Sequence, residues 1–159
     1  MFLTKKISNL DELSSIKLAH LLAKNISNGV IFLEGNLGAG KTFLVRSWLK
    51  CLGFKAAVKS PTFTLVEPYK IGEIEIYHCD LYRLSCAEEL DFIGGRDFLH
   101  SSNLCFIEWA QNGAGFLPNA DLIIKIAIAR NLRNYIICAN SDYGQQLLLK
   151  IDLCLDCNF

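Results

Sequence analysis

Gly29-Val-Ile-Phe-Leu-Glu-Gly35-Asn-Leu-Gly-Ala-Gly40-Lys41-Thr42 is the stretch on which the reading of the whole chain turns. Gly29 to Leu33 is a short, apolar, β-branched run, the pattern of a buried strand. Gly35 to Thr42 matches G-x-x-x-x-G-K-[ST] at every fixed position. Gly40–Leu52 then reads as a helix with Leu44, Val45, Trp48, Leu49 and Leu52 on one side, and Gly53 as its stop. At average residue frequencies such a match arises by chance about 0.005 times in a chain of this length. Strand before and helix after is the context in which the pattern cradles phosphate. Glycines let the backbone curl so that successive N–H groups point inward, and the helix N-terminus adds its partial positive charge. In that chemistry Lys41 reaches the β- and γ-phosphates and the Thr42 hydroxyl sits on magnesium. A nucleoside triphosphate with Mg2+ is therefore the predicted ligand of this segment.

Outward from the loop, an N-terminal helix is predicted after Asn9. Apolar residues recur at Leu13, Ile16, Leu18, Leu21 and Leu22, with Asp11 and Glu12 in the first turn. Strand-like runs follow at Thr62–Val66, Ile74–Cys79, Leu104–Trp109, Leu122–Ala129 and Tyr135–Ala139. Ser85-Cys-Ala-Glu88 has the form of a capping box for a short helix that Gly94-Gly95 can end. Gln145–Leu153 is amphipathic and is assigned to a helix in preference to a strand. Strands alternating with helices, without repeats or linkers, predict one α/β domain over 1–159, its 140–159 segment less defined by pattern.

Composition narrows the function classes. Apolar residues make up 52% and charged residues 20%, which excludes a disordered chain. Mean hydropathy is +0.28, high for a chain with no apolar run long enough to span a bilayer. A parallel sheet covered on both faces, or a surface that a partner buries, explains the excess. The N-terminus does not read as a secretory signal, and seven scattered cysteines fit reduced thiols in the cytoplasm. Cys154 and Cys157 have CxxC spacing but no second pair to complete a zinc site. Net charge is zero. Residues 41–70 hold six Lys or Arg against Glu67, and residues 71–110 hold eight acids against Arg83 and Arg96. No basic stripe suited to DNA or to RNA held unaided is present.

Two acids stand at strand ends, where phosphate-loop folds place a carboxylate near the metal. Leu104-Cys-Phe-Ile-Glu108 closes four apolar residues with an acid, and Ile74–Asp80 delivers another. Either can hold metal or orient the attacking water, because phosphoryl transfer depends mainly on positioning and charge neutralisation. The Asn-Lys-x-Asp element of guanine-specific switches is absent, which favours adenine.

Three further strings follow the loop in order: Ser60-Pro-Thr-Phe-Thr-Leu-Val-Glu-Pro-Tyr69, His78-Cys-Asp-Leu-Tyr-Arg-Leu84 and Ile107-Glu-Trp109. With Gly35–Thr42 they resemble the TsaE (YjeE) family, the ATPases of bacterial tRNA threonylcarbamoyladenosine synthesis, over residues from about 10 to about 137. The resemblance implies a three-layer phosphate-loop fold with a central, mostly parallel sheet. It also implies ATP hydrolysis in support of threonylcarbamoyl transfer, with TsaB and TsaD as partners and tRNA held mainly through the complex. Carried over by position, Asn36, Leu37, Gly38, Ala39, Gly40, Lys41 and Thr42 bind the phosphates, and Thr42 and Glu108 contact magnesium. Thr62 lies in a switch-like segment, Asp80 orients or deprotonates the water, and Trp109 lies near the nucleotide and the partner surface. Lys41, Asp80 and Glu108 are the implied catalytic set.

His78 is read as a core histidine ahead of a catalytic one, and Arg83 as the partner of Glu88 or Glu89 ahead of a phosphate contact. Trp109, by strand alternation, points to the face opposite Glu108. Asn36 stands where the family often has Asp, and Ala110-Gln111 departs from the usual Pro or Ala followed by Glu. The tail after Leu147 matches nothing in the family pattern. Two other functions use the same loop: a nucleotide-gated binding subunit, and a small-molecule kinase. Five arginines without a cluster match the arginine-bearing lid of such kinases poorly.

Overall fold

The computed structural model describes residues 2–155. Seven strands form one sheet in the order β1-β7-β6-β2-β5-β4-β3. They are β1 (Thr4–Leu10), β2 (Gly29–Glu34), β3 (Val66–Ile71), β4 (Ile74–Asp80), β5 (Leu104–Glu108), β6 (Leu122–Ala129) and β7 (Leu132–Ala139). The central four, β6-β2-β5-β4, run parallel, and antiparallel strands extend the sheet on both sides. The sheet is thus mostly parallel at its centre, as the run of apolar strands implied.

Burial on both faces explains the high hydropathy. On one face lie α1 (Glu12–Asn25), α2 (Lys41–Cys51) and α5 (Asp142–Leu155). Leu18, Leu22, Leu44, Trp48, Leu49, Leu148 and Ile151 from these helices meet Ile31, Leu33, Ile76, Leu104 and Phe106 from the strands. Trp48 stands edge-on to Phe106, ring centroids 5.0 Å apart. The other face is covered more thinly by two short helices, α3 (Glu89–Phe92) and α4 (Gly95–Phe98), and the loops around them. There Val30, Cys79, Cys105 and Ile107 pack with Leu81, Leu90 and Leu99.

Several local expectations are corrected. β1 was not predicted: Thr4-Lys-Lys-Ile-Ser-Asn-Leu10 is mostly polar, as suits an edge strand whose lysines discourage further pairing. Asn9, at φ 62, lies at the irregularity in that strand's pairing between Ile7 and Leu10, and the cap of α1 is Asp11, whose Oδ1 accepts from Ser14 N at 2.8 Å. Thr62–Leu65 is a turn, not a strand, with Leu65 N bonded to Pro61 O at 2.8 Å and Leu65 at φ 67. β3 starts only at Val66. The Ser85–Glu88 capping box does not form; Glu89 Oε1 instead accepts from Ser85 N and Cys86 N at 3.1 and 3.2 Å. β7 begins at Leu132, because Arg130 and Asn131, both at positive φ, make a two-residue hairpin turn. The C-terminal helix is present as assigned and begins earlier, at Asp142.

One buried carboxylate ties the strand entries together. Asp121 accepts from Val30 N at 2.9 Å, Ser101 Oγ at 2.9 Å and Ser141 Oγ at 2.6 Å, joining β2, the turn before β5 and the approach to α5. That junction is closed by Gly144, where an added Cβ would lie 1.8 Å from the Asp121 carbonyl oxygen. Gly144→Ala is therefore expected to lower unfolding stability by about 3 kcal/mol, the upper end of ordinary overpacking, read from the urea midpoint. Gln146→Ala, exposed on the same helix, should change it by less than about 0.5 kcal/mol.

Candidate nucleotide-binding site

β2 ends at Glu34, and the chain turns through Gly35–Gly40 into α2. Gly35 is packed so closely on β6 that a Cβ there would lie 2.4 Å from Ile126 O. Gly40 caps α2 from the left-handed region, φ 105, and no side chain caps the helix. The first N–H groups of α2 are thus left for a ligand, the arrangement that favours an anion. Lys41 is 4% exposed, its Nζ donating to Gly35 O at 2.7 Å and Asn36 O at 3.1 Å. The same Nζ lies 4.8 Å from the centre of the Trp109 ring.

Strand alternation brings the acids to the α2 side. Ile76 on β4, and Leu104 and Phe106 on β5, join the core beneath α1 and α2, so His78, Asp80 and Glu108 continue that face. Parallel register sets Asp80 beside Glu108. Glu108 Oε1 accepts from Thr42 Oγ1 at 3.0 Å and lies 2.8 Å from His78 Nε2. His78 is fully buried and its Nδ1 has no partner. Asp80 Oδ2 accepts from Thr62 Oγ1 at 3.1 Å, and its Oδ1 accepts from Tyr82 N at 3.0 Å. Ser60 Oγ lies 2.8 Å from Thr62 Oγ1.

These groups border one open cleft of about 280 Å³, with Leu37, Gly38 and Gly40–Phe43 on one side and Ser60, Thr62, Asp80, Glu108 and Trp109 on the other. Of the candidate loop residues, Asn36 and Ala39 fall outside it. Both border a neighbouring hollow with Ile126–Ile128, and Asn36 also faces one with Gln111.

Three side chains differ from expectation. Trp109 does not simply face away from Glu108: its φ of 57 breaks the strand alternation. Its ring touches the smaller core and Tyr82, centroids 4.9 Å apart, yet still covers Lys41. Arg83 pairs with neither Glu88 nor Glu89; its guanidinium lies over the Phe63 ring at 4.5 Å. His78 is buried as expected, but as a direct partner of Glu108 and not as a passive core residue. Phe43 and Arg133 were passed over, because neither belongs to a motif. Arg133 lies with its guanidinium carbon 4.5 Å from the centre of the Phe43 ring, beside Gly40.

Comparison with known proteins agrees with this geometry. The family described as "Threonylcarbamoyl adenosine biosynthesis protein TsaE" matches residues 9–135. A tRNA threonylcarbamoyladenosine biosynthesis protein TsaE from Haemophilus influenzae is 44% identical over 119 residues, 75% of either chain. One from Bacillus subtilis is 38% identical over 97 residues, 61% of this chain and 60% of its own. The crystal structure of YdiB from Bacillus subtilis superposes with a TM-score of 0.74 at 26% identity, covering 96% of each chain.

The reverse face of the same strands is apolar, and its thiols show it. Cys79, between His78 and Asp80, and Cys105 are buried. Burial raises both thiol pKa values, Cys105 to about 12 and Cys79 further. Both therefore remain protonated and shielded at neutral and mildly alkaline pH, whereas Cys86 is exposed. Labelling of the folded chain with a thiol reagent at pH 8, mapped by mass spectrometry, should modify Cys86 and leave Cys79 and Cys105 unmodified until the chain is denatured.

Proposed function

The chain belongs to the TsaE family, and on that premise we propose that it is the ATP-hydrolysing subunit of tRNA threonylcarbamoyladenosine synthesis, acting with TsaB and TsaD. The observation that carries this reading is the 3.0 Å bond from Thr42 Oγ1 to Glu108 Oε1. It joins the phosphate loop to a carboxylate at the end of the adjoining parallel strand, with Asp80 and Thr62 on the same cleft.

On this reading Lys41 exchanges its bonds to the Gly35 and Asn36 carbonyls for oxygens of the β- and γ-phosphates. The N–H groups at the start of α2 bind the same phosphates without a side-chain cap to displace. Thr42 and Glu108 are the residues that would hold magnesium. A hydroxyl and a carboxylate are oxygen donors of the kind a hard cation prefers. A cation held there would supply neutralisation of phosphate charge.

The remaining steps fall to the protein. His78 holds the Glu108 carboxylate from the buried side. Asp80, its two oxygens occupied by Thr62 Oγ1 and Tyr82 N, orients the attacking water and takes its proton. Trp109 keeps solvent from Lys41. Thr62, on its turn beside the cleft, reports the state of the γ-phosphate to the partner proteins. tRNA is held mainly by those partners, consistent with a net charge of zero. No helix among the described residues is long and apolar enough to cross a membrane, and the proposed site of action is the cytoplasm.

Magnesium-dependent ATP hydrolysis by the chain alone, and with TsaB, TsaD and tRNA added, tests the proposal. Slow turnover alone and marked stimulation by the complex are expected. Lys41→Ala should weaken ATP binding at least about tenfold, since it removes charge-assisted bonds to phosphate. Asp80→Asn and Glu108→Gln should retain ATP binding while hydrolysis falls by about 100-fold or more. Turnover unchanged in Lys41→Ala, or no response to the complex, would overturn the assignment.

A further inference from the structure

Glu108 does not offer its two oxygens equally. Oε1 accepts from Thr42 Oγ1 at 3.0 Å and faces His78 Nε2 at 2.8 Å. Oε2 takes no hydrogen bond from any described residue. Nor is it sealed from solvent, so it is the oxygen open to the cleft that Glu108 borders.

His78 is a costly residue for its place on β4. The ring is fully buried, and Nδ1 is shut away without a partner. A phenyl ring would fill similar space and leave no buried nitrogen unpaired. What offsets the cost is the bond at Nε2. In the neutral ring the single N–H belongs there, because a bare nitrogen lone pair 2.8 Å from a carboxylate oxygen would be repelled. Asp80 adds to the need. It pairs with Glu108 across the parallel ladder, so the two carboxylates stand side by side and repel. Two donors on Oε1 hold Glu108 against that repulsion. On the reading above Thr42 turns its hydroxyl to the cation, and His78 is then the donor that remains.

We propose that His78, as the Nε2–H tautomer, is the positioning residue that reserves Oε1 of Glu108 for the protein and presents Oε2 to the cation. His78 does not border the cleft, so it acts only through Glu108. The inference rests on the nucleotide-site reading above. It adds which oxygen serves the ligand, and which bond outlasts the rearrangement at Thr42.

Two variants and one spectrum test it. His78→Phe keeps a ring and removes the donor, whereas His78→Gln restores an N–H at the reach of Nε2. Both are assayed by ATP hydrolysis against magnesium concentration, and by ATP binding without magnesium. His78→Phe should need about tenfold more magnesium for half-maximal hydrolysis, the scale on which partners that orient a ligand act. Its metal-free ATP binding should change by less than about twofold. His78→Gln should recover to within about threefold of wild type. Nitrogen NMR of the wild-type ring, without nucleotide, should find the proton on Nε2 and none on Nδ1. Unchanged magnesium dependence in His78→Phe, no recovery in His78→Gln, or a proton on Nδ1 would each overturn the proposal. So would an equal loss of metal-free ATP binding in His78→Phe, which would make the role structural only. Should the phenylalanine variant fail to fold, judged by its urea midpoint, the glutamine variant and the nitrogen spectrum still decide. Wild-type protein that neither binds nor hydrolyses ATP would refute the nucleotide site itself, whereas the spectrum of the free chain judges the bond to Glu108 independently.

Discussion

Parallel pairing of β2 with β5, and of β5 with β4, is the constraint on which the site depends. Leu33 pairs with Glu108, and Glu108 with Asp80, so the loop leaves the sheet at the level where both acids end their strands. A slip of one residue would carry Glu108 to the face now occupied by Ile107 and break its bond to Thr42. Burial fixes the register: Leu104, Cys105, Phe106 and Ile107 are all fully buried, two toward each core. A strand with both faces covered cannot shift without moving apolar side chains past two packed layers at once. The same packing that stabilises the sheet therefore holds the carboxylates within hydrogen-bond reach of the loop.

This dependence also explains what was legible in the sequence. The loop, the helix after it and the apolar strands that end in acids are local patterns with one physical solution, and they emerged where they were read. Losses came where tertiary contacts decide. Thr62–Leu65 has the β-branched and apolar composition of a strand, yet it turns, because its place is above Asp80 and not in the ladder. β1 carries too few apolar residues to announce itself, and only its pairing with β7 defines it. Strand alternation foretold only part of Trp109: its ring does touch the core opposite Glu108, but a left-handed residue at the strand end also brings it over Lys41. Phe43 and Arg133 come together from α2 and β7, ninety residues apart, and no spacing rule reaches that far.

The site holds an unusual share of the buried polar groups. Lys41, His78, Asp80 and Glu108 are all nearly inaccessible, and His78 Nδ1 and Arg133 Nε have no acceptor. Such groups cost stability unless paired, and pairing within the protein offsets only part of that cost. Lys41 illustrates the arrangement: its bonds to the loop's own carbonyls satisfy the ammonium, but those carbonyls and the ammonium can separate when a better acceptor is present. The compensating stability lies elsewhere, in the larger core around Trp48 and Phe106 and in the junction at Asp121, which are remote from any group that must change partners.

The segment over the cleft is held by a different balance. Leu65 sits in the left-handed region, where a branched residue costs about 1–2 kcal/mol. Thr64 bonds to Glu67 at an exposed position, and Phe63 is 83% exposed with only Arg83 across its ring. Contacts of that kind contribute roughly 1 kcal/mol or less each. Beside them stand one part-buried side-chain bond, Thr62 to Asp80, and two backbone bonds, Leu65 N to Pro61 O and Asp80 N to Leu65 O. The conformation of 61–65 therefore rests on a small sum of comparable terms, and one of them ends on the carboxylate proposed to orient the attacking water. Whatever competes for Asp80 acts directly on the balance that positions the turn, while the sheet beneath stays fixed. Chemistry at the cleft can thus change the exposed surface around Phe63 without any rearrangement of the fold, which is the property the proposed partner-coupled nucleotide site needs.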